Sequence, residues 1–211
     1  MKPKIKICGL TRECDIDYVN EASPEYFGFI FAKSKRQIDE KAAALLKARA
    51  KSGIKAVGIF VDASKERIIR LVQNGTIDIV QLHGQETPSY VEHVKKLTGG
   101  LVIKAIPIGE KEYPGFMLEE YKNAGTDYFL FDSKVIGRDS GYGGTGVTFD
   151  WSRIPKAPLP YFLAGGLNAQ NIVTAVSHVN PYAVDISSGV ETDGVKDKDK
   201  ILEIIRRVRD V

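Results

Sequence analysis

Eight short apolar runs, rich in β-branched and aromatic residues, recur along this chain: Lys4–Cys8, Tyr26–Phe31, Ala56–Val61, Ile77–Leu82, Val102–Ile106, Tyr128–Phe131, Tyr161–Leu163 and Ala183–Ile186. Between them lie stretches with helical spacing of apolar residues, namely 14–22, 39–50, 64–74, 89–97, 118–124, 169–177 and 198–209. Only the connection after Tyr128–Phe131 lacks a long helical pattern, although Phe149-Asp150-Trp151 suits a short one. Strands that alternate with helices pair in parallel through right-handed crossovers, and eight such units close into a ring. The expected fold is therefore α/β, a single (β/α)8 TIM barrel, with residues 1–211 forming one catalytic domain. An open doubly wound sheet would want Gly-x-Gly-x-x-Gly after its first strand, and Cys8-Gly9-Leu10-Thr11-Arg12 is not that.

Length and composition fit this expectation. A barrel of 211 residues needs a large core, and 43% of the residues are aliphatic, aromatic or sulfur-bearing. Charged residues make up 27%, but the net charge is only +3 and no long basic run offers a nucleic-acid track. Two irregularly placed cysteines, Cys8 and Cys14, make neither a disulfide framework nor a zinc site. Cysteine usage of this kind suits a reducing cytoplasm, and no stretch reads as a membrane span or signal peptide. No nucleic-acid or membrane partner is expected.

The ends of the strands carry the chemistry. In a barrel of this kind they open onto the catalytic face. Cys8 closes the first strand; alone, it would also suit a small buried hydrophobe. Asp132 closes the sixth, where an aspartate equally serves as a turn former. Together they set an acid and a possible base on facing sides of the ring. Arg36 follows the second strand, where a guanidinium can clamp a carboxylate through two parallel hydrogen bonds. His83 follows the fourth strand, and with no His-x-His or His-x-Glu spacing it reads as a hydrogen-bonded wall residue rather than a metal ligand.

Glycine-rich turns end the last three units: Gly143-Gly144-Thr145-Gly146, Gly165-Gly166 and Ser187-Ser188-Gly189. Glycine lets backbone N–H groups approach an anion, and three such loops on one rim suggest a phosphate site. The residues 133–142 read as a mobile lid over that rim.

Several segments together resemble the phosphoribosylanthranilate isomerase family. They are Lys6-Ile7-Cys8-Gly9-Leu10-Thr11, Gly28-Phe29-Ile30-Phe31 with Ser34-Lys35-Arg36, Val80-Gln81-Leu82-His83-Gly84, Phe131-Asp132, Gly143–Gly146, Ala164-Gly165-Gly166-Leu167 and Asp185–Glu191. They span nearly the whole chain in order. The resemblance implies an isomerase of tryptophan biosynthesis that acts on a small-molecule phosphosugar, as monomer or weak homodimer, and needs no cofactor and no metal. It implies Cys8 as general base, Asp132 as general acid and Arg36 as the anthranilate-carboxylate contact, with His83 and Asp185 as further substrate contacts. The phosphate would rest on Gly144, Thr145, Gly146, Gly165, Gly166, Ser187, Ser188 and Gly189. One departure from the family pattern follows Glu191, where Thr192-Asp193-Gly194 replaces a Ser-x-Pro-Gly-like turn.

Three rivals fit less well. A ribulose-phosphate epimerase would want metal-binding histidines on several strands, whereas this chain has only His83, His93 and His178. The histidine-pathway isomerase resembles a duplicated half-barrel, and the first half here has no matching Gly-Gly rim. A non-catalytic phosphate-binding barrel would have no need of Cys8 and Asp132 together.

Overall fold

A computed structural model describes residues 2–109, 115–133 and 148–211. The expected phosphate turn Gly144-Thr145-Gly146, and the expected lid apart from Ser133, lie outside them. Eight parallel strands form a closed barrel in sequence order: β1 (Lys4–Cys8), β2 (Tyr26–Ile30), β3 (Lys55–Phe60), β4 (Ile79–Leu82), β5 (Leu101–Pro107), β6 (Tyr128–Asp132), β7 (Tyr161–Leu163) and β8 (Ala183–Ile186). Pairing of β1 with β8, with Ile5 opposite Val184 and Lys6 opposite Asp185, seals the ring.

Around it run α1 (Glu13–Ala22), α2 (Glu40–Arg49), α3 (Lys65–Gln73), α4 (Pro88–Thr98), α5 (Gly115–Asn123), α6 (Ile172–Val179) and α7 (Lys198–Arg209). The short helix expected near Phe149 is a single 3-10 turn, Trp151–Arg153, held by the Asp150 side chain accepting from the Ser152 N–H. Helix starts follow their caps. Asp39 accepts from the N–H groups of Lys41 and Ala42, and Asp197 from those of Asp199 and Lys200. The α6 helix starts at Ile172 rather than the expected Ala169, because the Asn168 side chain draws the N–H groups of Gln170 and Asn171 into a turn of its own.

Alternation along the strands divides the core into two layers. Ile5, Ile7, Phe27, Phe29, Val80 and Leu82 pack outward into the helices, each such side chain contributing about 1.5–3 kcal/mol on burial. The opposite face of each strand fills the barrel, with Val57, Ile59, Ile79, Ile103, Leu130 and Phe162 in one cluster that also holds Cys8. The N-terminal mouth is plugged by Tyr26, Tyr128 and Tyr182, whose hydroxyls lie 3.2–3.3 Å apart, with the Lys4 ammonium over the Tyr182 ring. That end is closed, which leaves the C-terminal mouth for ligands. No helix among the described residues is long and apolar enough to cross a membrane.

One short element appears beyond the barrel. Strands β9 (Glu191–Thr192) and β10 (Val195–Lys196) form a hairpin in which Lys196 pairs with Glu191. Its two turn residues, Asp193 and Gly194, both have positive φ, 51° and 80°. An Asp-Gly pair is the ordinary occupant of such a turn. The departure after Glu191 thus builds a hairpin rather than an open loop.

Candidate active site

The C-terminal mouth opens into a cleft of about 810 Å³, measured out to its open side. Cys8, Arg36, His83, Asp132 and Asp185 all line it, as do Gly165, Gly166, Ser187 and Ser188. Gly189 does not line the cleft but lies directly behind it. A Cβ on Gly189 would run into the Leu167 carbonyl oxygen, so only glycine lets the loop after β8 meet the loop after β7. Gly165 and Gly166 both take positive φ, 87° and 66°. The turn they make is laced from below, since the side chains of Asn168 and Asn171 both donate to the Gly166 carbonyl.

Cys8 ends β1 on the interior face, 7% exposed, with its sulfur beside Gly28 of β2. Burial pushes the Cys8 thiol up, against the pull of the Lys6 and Lys196 ammonium groups. The positive rim therefore does not lower the thiol below its ordinary value, because desolvation outweighs it.

Lys6, two residues earlier on the same face, is fully buried. Its ammonium donates to Asp185 Oδ2 at 2.7 Å and to Gln81 Oε1 at 2.8 Å, spanning β8, β1 and β4. Burial works against this charge, but Asp185 and Cys8 outweigh it and leave the ammonium raised. Gln81 Nε2 lies 2.9 Å from His83 Nδ1, and His83 Nε2 is 3.4 Å from Asp132 Oδ2. Asp185 Oδ1 is buried with no hydrogen-bond partner among the described residues, on a side chain that lines the cleft. An unsatisfied buried acceptor there costs about 1–3 kcal/mol until a donor arrives.

Arg36 is not a loose surface charge. Its Nε and Nη2 donate to the two carboxylate oxygens of Glu191, each at 2.6 Å. That pair uses one edge of the guanidinium and leaves the Nη1–Nη2 edge of the fork for a second carboxylate. Glu191 also accepts from Lys196 Nζ at 2.5 Å, and the same ammonium donates to the Ser187 carbonyl at 2.9 Å. Burial opposes the Glu191 charge, yet Arg36 and Lys196 together hold its carboxyl below the usual range. Burial pulls the Lys196 ammonium down even beside Glu191. A Cβ on Gly9 would sit 2.6 Å from Arg36 Cδ, so that glycine gives Arg36 its path over the mouth.

Sequence reasoning gave no part to Lys6, Gln81, Glu191 or Lys196 individually. The signal for Lys6 was present: both faces of a barrel strand are buried, so a lysine alternating with Ile5 and Ile7 has no route to solvent.

The model of the family described as "N-(5'phosphoribosyl)anthranilate (PRA) isomerase" matches residues 5–207. The chain is 44% identical over 209 residues to the N-(5'-phosphoribosyl)anthranilate isomerase of Endomicrobium trichonymphae, covering 98% of both chains. It is 45% identical over 210 residues to the enzyme of the same name from Thermoanaerobacter sp. (strain X514), covering 99% of this chain and 98% of that one. Among solved structures, the phosphoribosyl anthranilate isomerase of Thermotoga maritima superposes with a TM-score of 0.84 at 33% identity, over 99% of this chain and 100% of that one. A phosphoribosyl anthranilate isomerase in complex with reduced 1-(o-carboxyphenylamino)-1-deoxyribulose 5-phosphate superposes with a TM-score of 0.78 at 30% identity, over 99% and 100%. Similarity in sequence and in the barrel fold thus runs along nearly the whole length, and the chain belongs to the N-(5'-phosphoribosyl)anthranilate isomerase family, isomerases of tryptophan biosynthesis.

Proposed function

We propose that residues 1–211 act as one catalytic domain that converts N-(5'-phosphoribosyl)anthranilate to 1-(2-carboxyphenylamino)-1-deoxyribulose 5-phosphate by an Amadori rearrangement. The observation that carries this reading is that Cys8 of β1 and Asp132 of β6 line one cleft with Arg36. Asp132 protonates the furanose ring oxygen, the C1–O bond breaks, and a protonated Schiff base forms. Cys8, as thiolate, removes the proton from ribose carbon 2, giving an enolamine that tautomerises to the ketose. Both steps are proton transfers, so the reaction is balanced without a cofactor or metal.

The remaining residues hold the ligand. The outer edge of Arg36 clamps the anthranilate carboxylate, its other edge being set by Glu191. Asp185 Oδ1 accepts from a sugar hydroxyl, which would satisfy its missing bond. His83 is a further contact beside Asp132. Gly165, Gly166, Ser187 and Ser188 take the phosphate, Gly189 serving only to let their two loops meet, with Gly144, Thr145 and Gly146 expected to complete its site. Lys6 supplies the positive charge that opposes the burial penalty on the Cys8 thiolate. The Thermotoga maritima relative is described as dimeric; for this chain we expect a monomer or weak homodimer acting in the cytoplasm.

The test is turnover of freshly generated N-(5'-phosphoribosyl)anthranilate, followed by loss of its fluorescence. Asp132→Asn keeps shape and hydrogen bonding but cannot donate the acid proton, so kcat should fall about 10²–10⁴-fold with product affinity nearly unchanged. Less than a tenfold loss would remove Asp132 from the mechanism. Cys8→Ser should fold and lose most activity, because a hydroxyl hardly ionises near neutrality; near-normal turnover would remove the base.

A further inference from the structure

The hydrogen bonds around Gln81 are directional, and their directions follow from chemistry alone. An ammonium carries donors and no acceptor. The Gln81 atom 2.8 Å from Lys6 Nζ must therefore be the amide oxygen, which leaves the amide NH2 as the group 2.9 Å from His83 Nδ1. An amide NH2 also only donates, so His83 Nδ1 must accept. The imidazole proton is then on Nε2, the nitrogen that lies 3.4 Å from Asp132 Oδ2.

We propose that Lys6, acting through Gln81, is a positioning residue that fixes His83 as its Nε2–H tautomer and so sets a neutral donor, rather than an acceptor, beside the Asp132 carboxyl. Lys6 is itself locked. It is fully buried, and Asp185 holds its ammonium at 2.7 Å from the far side. A proton on Nδ1 would face the N–H of Gln81 at 2.9 Å, donor against donor, so the lock excludes the Nδ1–H tautomer. This matters for the acid. A cation beside Asp132 would hold its carboxyl as the anion, whereas a neutral donor leaves it able to carry a proton. The kinetic consequence rests on Asp132 being the general acid; the tautomer does not.

The tautomer is read directly by 15N NMR of the intact protein labelled in its histidine rings. The chain has three histidines, and His93→Gln and His178→Gln identify the signals of His83. At neutral pH, without substrate, His83 Nε2 should be pyrrole-like with an attached proton, and Nδ1 pyridine-like. A protonated Nδ1 in the wild-type protein would overturn the proposal, whatever the variants do. Gln81→Glu replaces the donor facing Nδ1 by an acceptor while keeping a partner for Lys6. It should protonate Nδ1 and lower kcat about tenfold or more, with KM within about threefold. An unchanged ring spectrum in a folded Gln81→Glu protein would also overturn it. Failure of the acid assignment looks different: Asp132→Asn would remain active while the wild-type ring spectrum stayed as expected.

Discussion

Gly28 stands opposite Cys8 on the β1–β2 ladder, and a Cβ placed there would lie 2.8 Å from the Cys8 sulfur and 3.3 Å from its Cα. Unstrained contacts between such atoms are about 3.5–4.0 Å, so in Gly28→Ala the thiol must retreat by about 0.7–1.2 Å. Swinging Ile59 away relieves only its own contact at 3.0 Å, and the backbone contact to Cys8 Cα remains. A reacting group displaced by about 1 Å loses on the order of 10²-fold in rate, so kcat should fall by about that factor. KM should hold within a few-fold, since the atoms nearest the added Cβ belong to Cys8 and Ile59 rather than to Arg36 or the glycine loops. Overpacking of this kind costs about 1–3 kcal/mol, less than the ~5–15 kcal/mol that holds a domain folded. Steady-state turnover, run well below the melting temperature, separates the rate effect from unfolding. A kcat within threefold of wild type, in a variant whose melting temperature is unchanged, would refute the reasoning.

Arg36→Met should raise KM by about 30-fold, the equivalent of the ~2 kcal/mol of a charge-assisted pair, with kcat little changed; an unchanged KM would show that its outer edge binds nothing. Because burial raises the Cys8 thiol, its alkylation by iodoacetamide, measured in Cys14→Ser so that one thiol reports, should have a midpoint above the ~8.5 of an ordinary cysteine. The sign for stability follows: the neutral thiol favours the fold, a contribution present below the unfolded-state value and lost as pH rises through the folded one. A midpoint below 8 would contradict both statements. Lys104→Met should cost about 3–5 kcal/mol in urea unfolding, because it strands the Glu86 carboxylate with both side chains 2% exposed or less; a loss under about 1 kcal/mol would refute this.

The barrel was legible because each strand carries its own apolar run and each connection its own helical period. Local pattern and global closure agree there, from Lys4–Cys8 to Ala183–Ile186. The residues at the strand ends were legible for the same reason, since topology alone sends Cys8, His83, Asp132 and Asp185 to one mouth. What the sequence hid was pairing over long separations. Nothing local tells that Arg36 is met by Glu191, 155 residues later, or that Lys6 bridges Gln81 and Asp185. Lys196 was hidden behind a turn. The Asp193-Gly194 pair is a hairpin signal, and folding it back is what brings the Lys196 ammonium to Glu191 and Ser187. The raised thiol was hidden too, because the balance between burial and nearby charge depends on depth.

The seam between the loops after β7 and β8 bears on when the cost of order falls. Asn168 and Gly189 are bridged backbone to backbone, and Gly165 comes so near Ser133 that a Cβ would sit 2.6 Å from its nitrogen. No side chain separates these segments. Fixing a backbone costs about 1–2 kcal/mol per residue, and for these loops it is incurred as the barrel folds rather than when an anion arrives. A ligand that docks on this rim therefore loses little of its binding free energy to loop ordering. Loosening the seam, as Gly189→Ala would, leaves the groups that line the cleft chemically unchanged and still shortens the residence time of a phosphorylated ligand, with the on-rate changed far less.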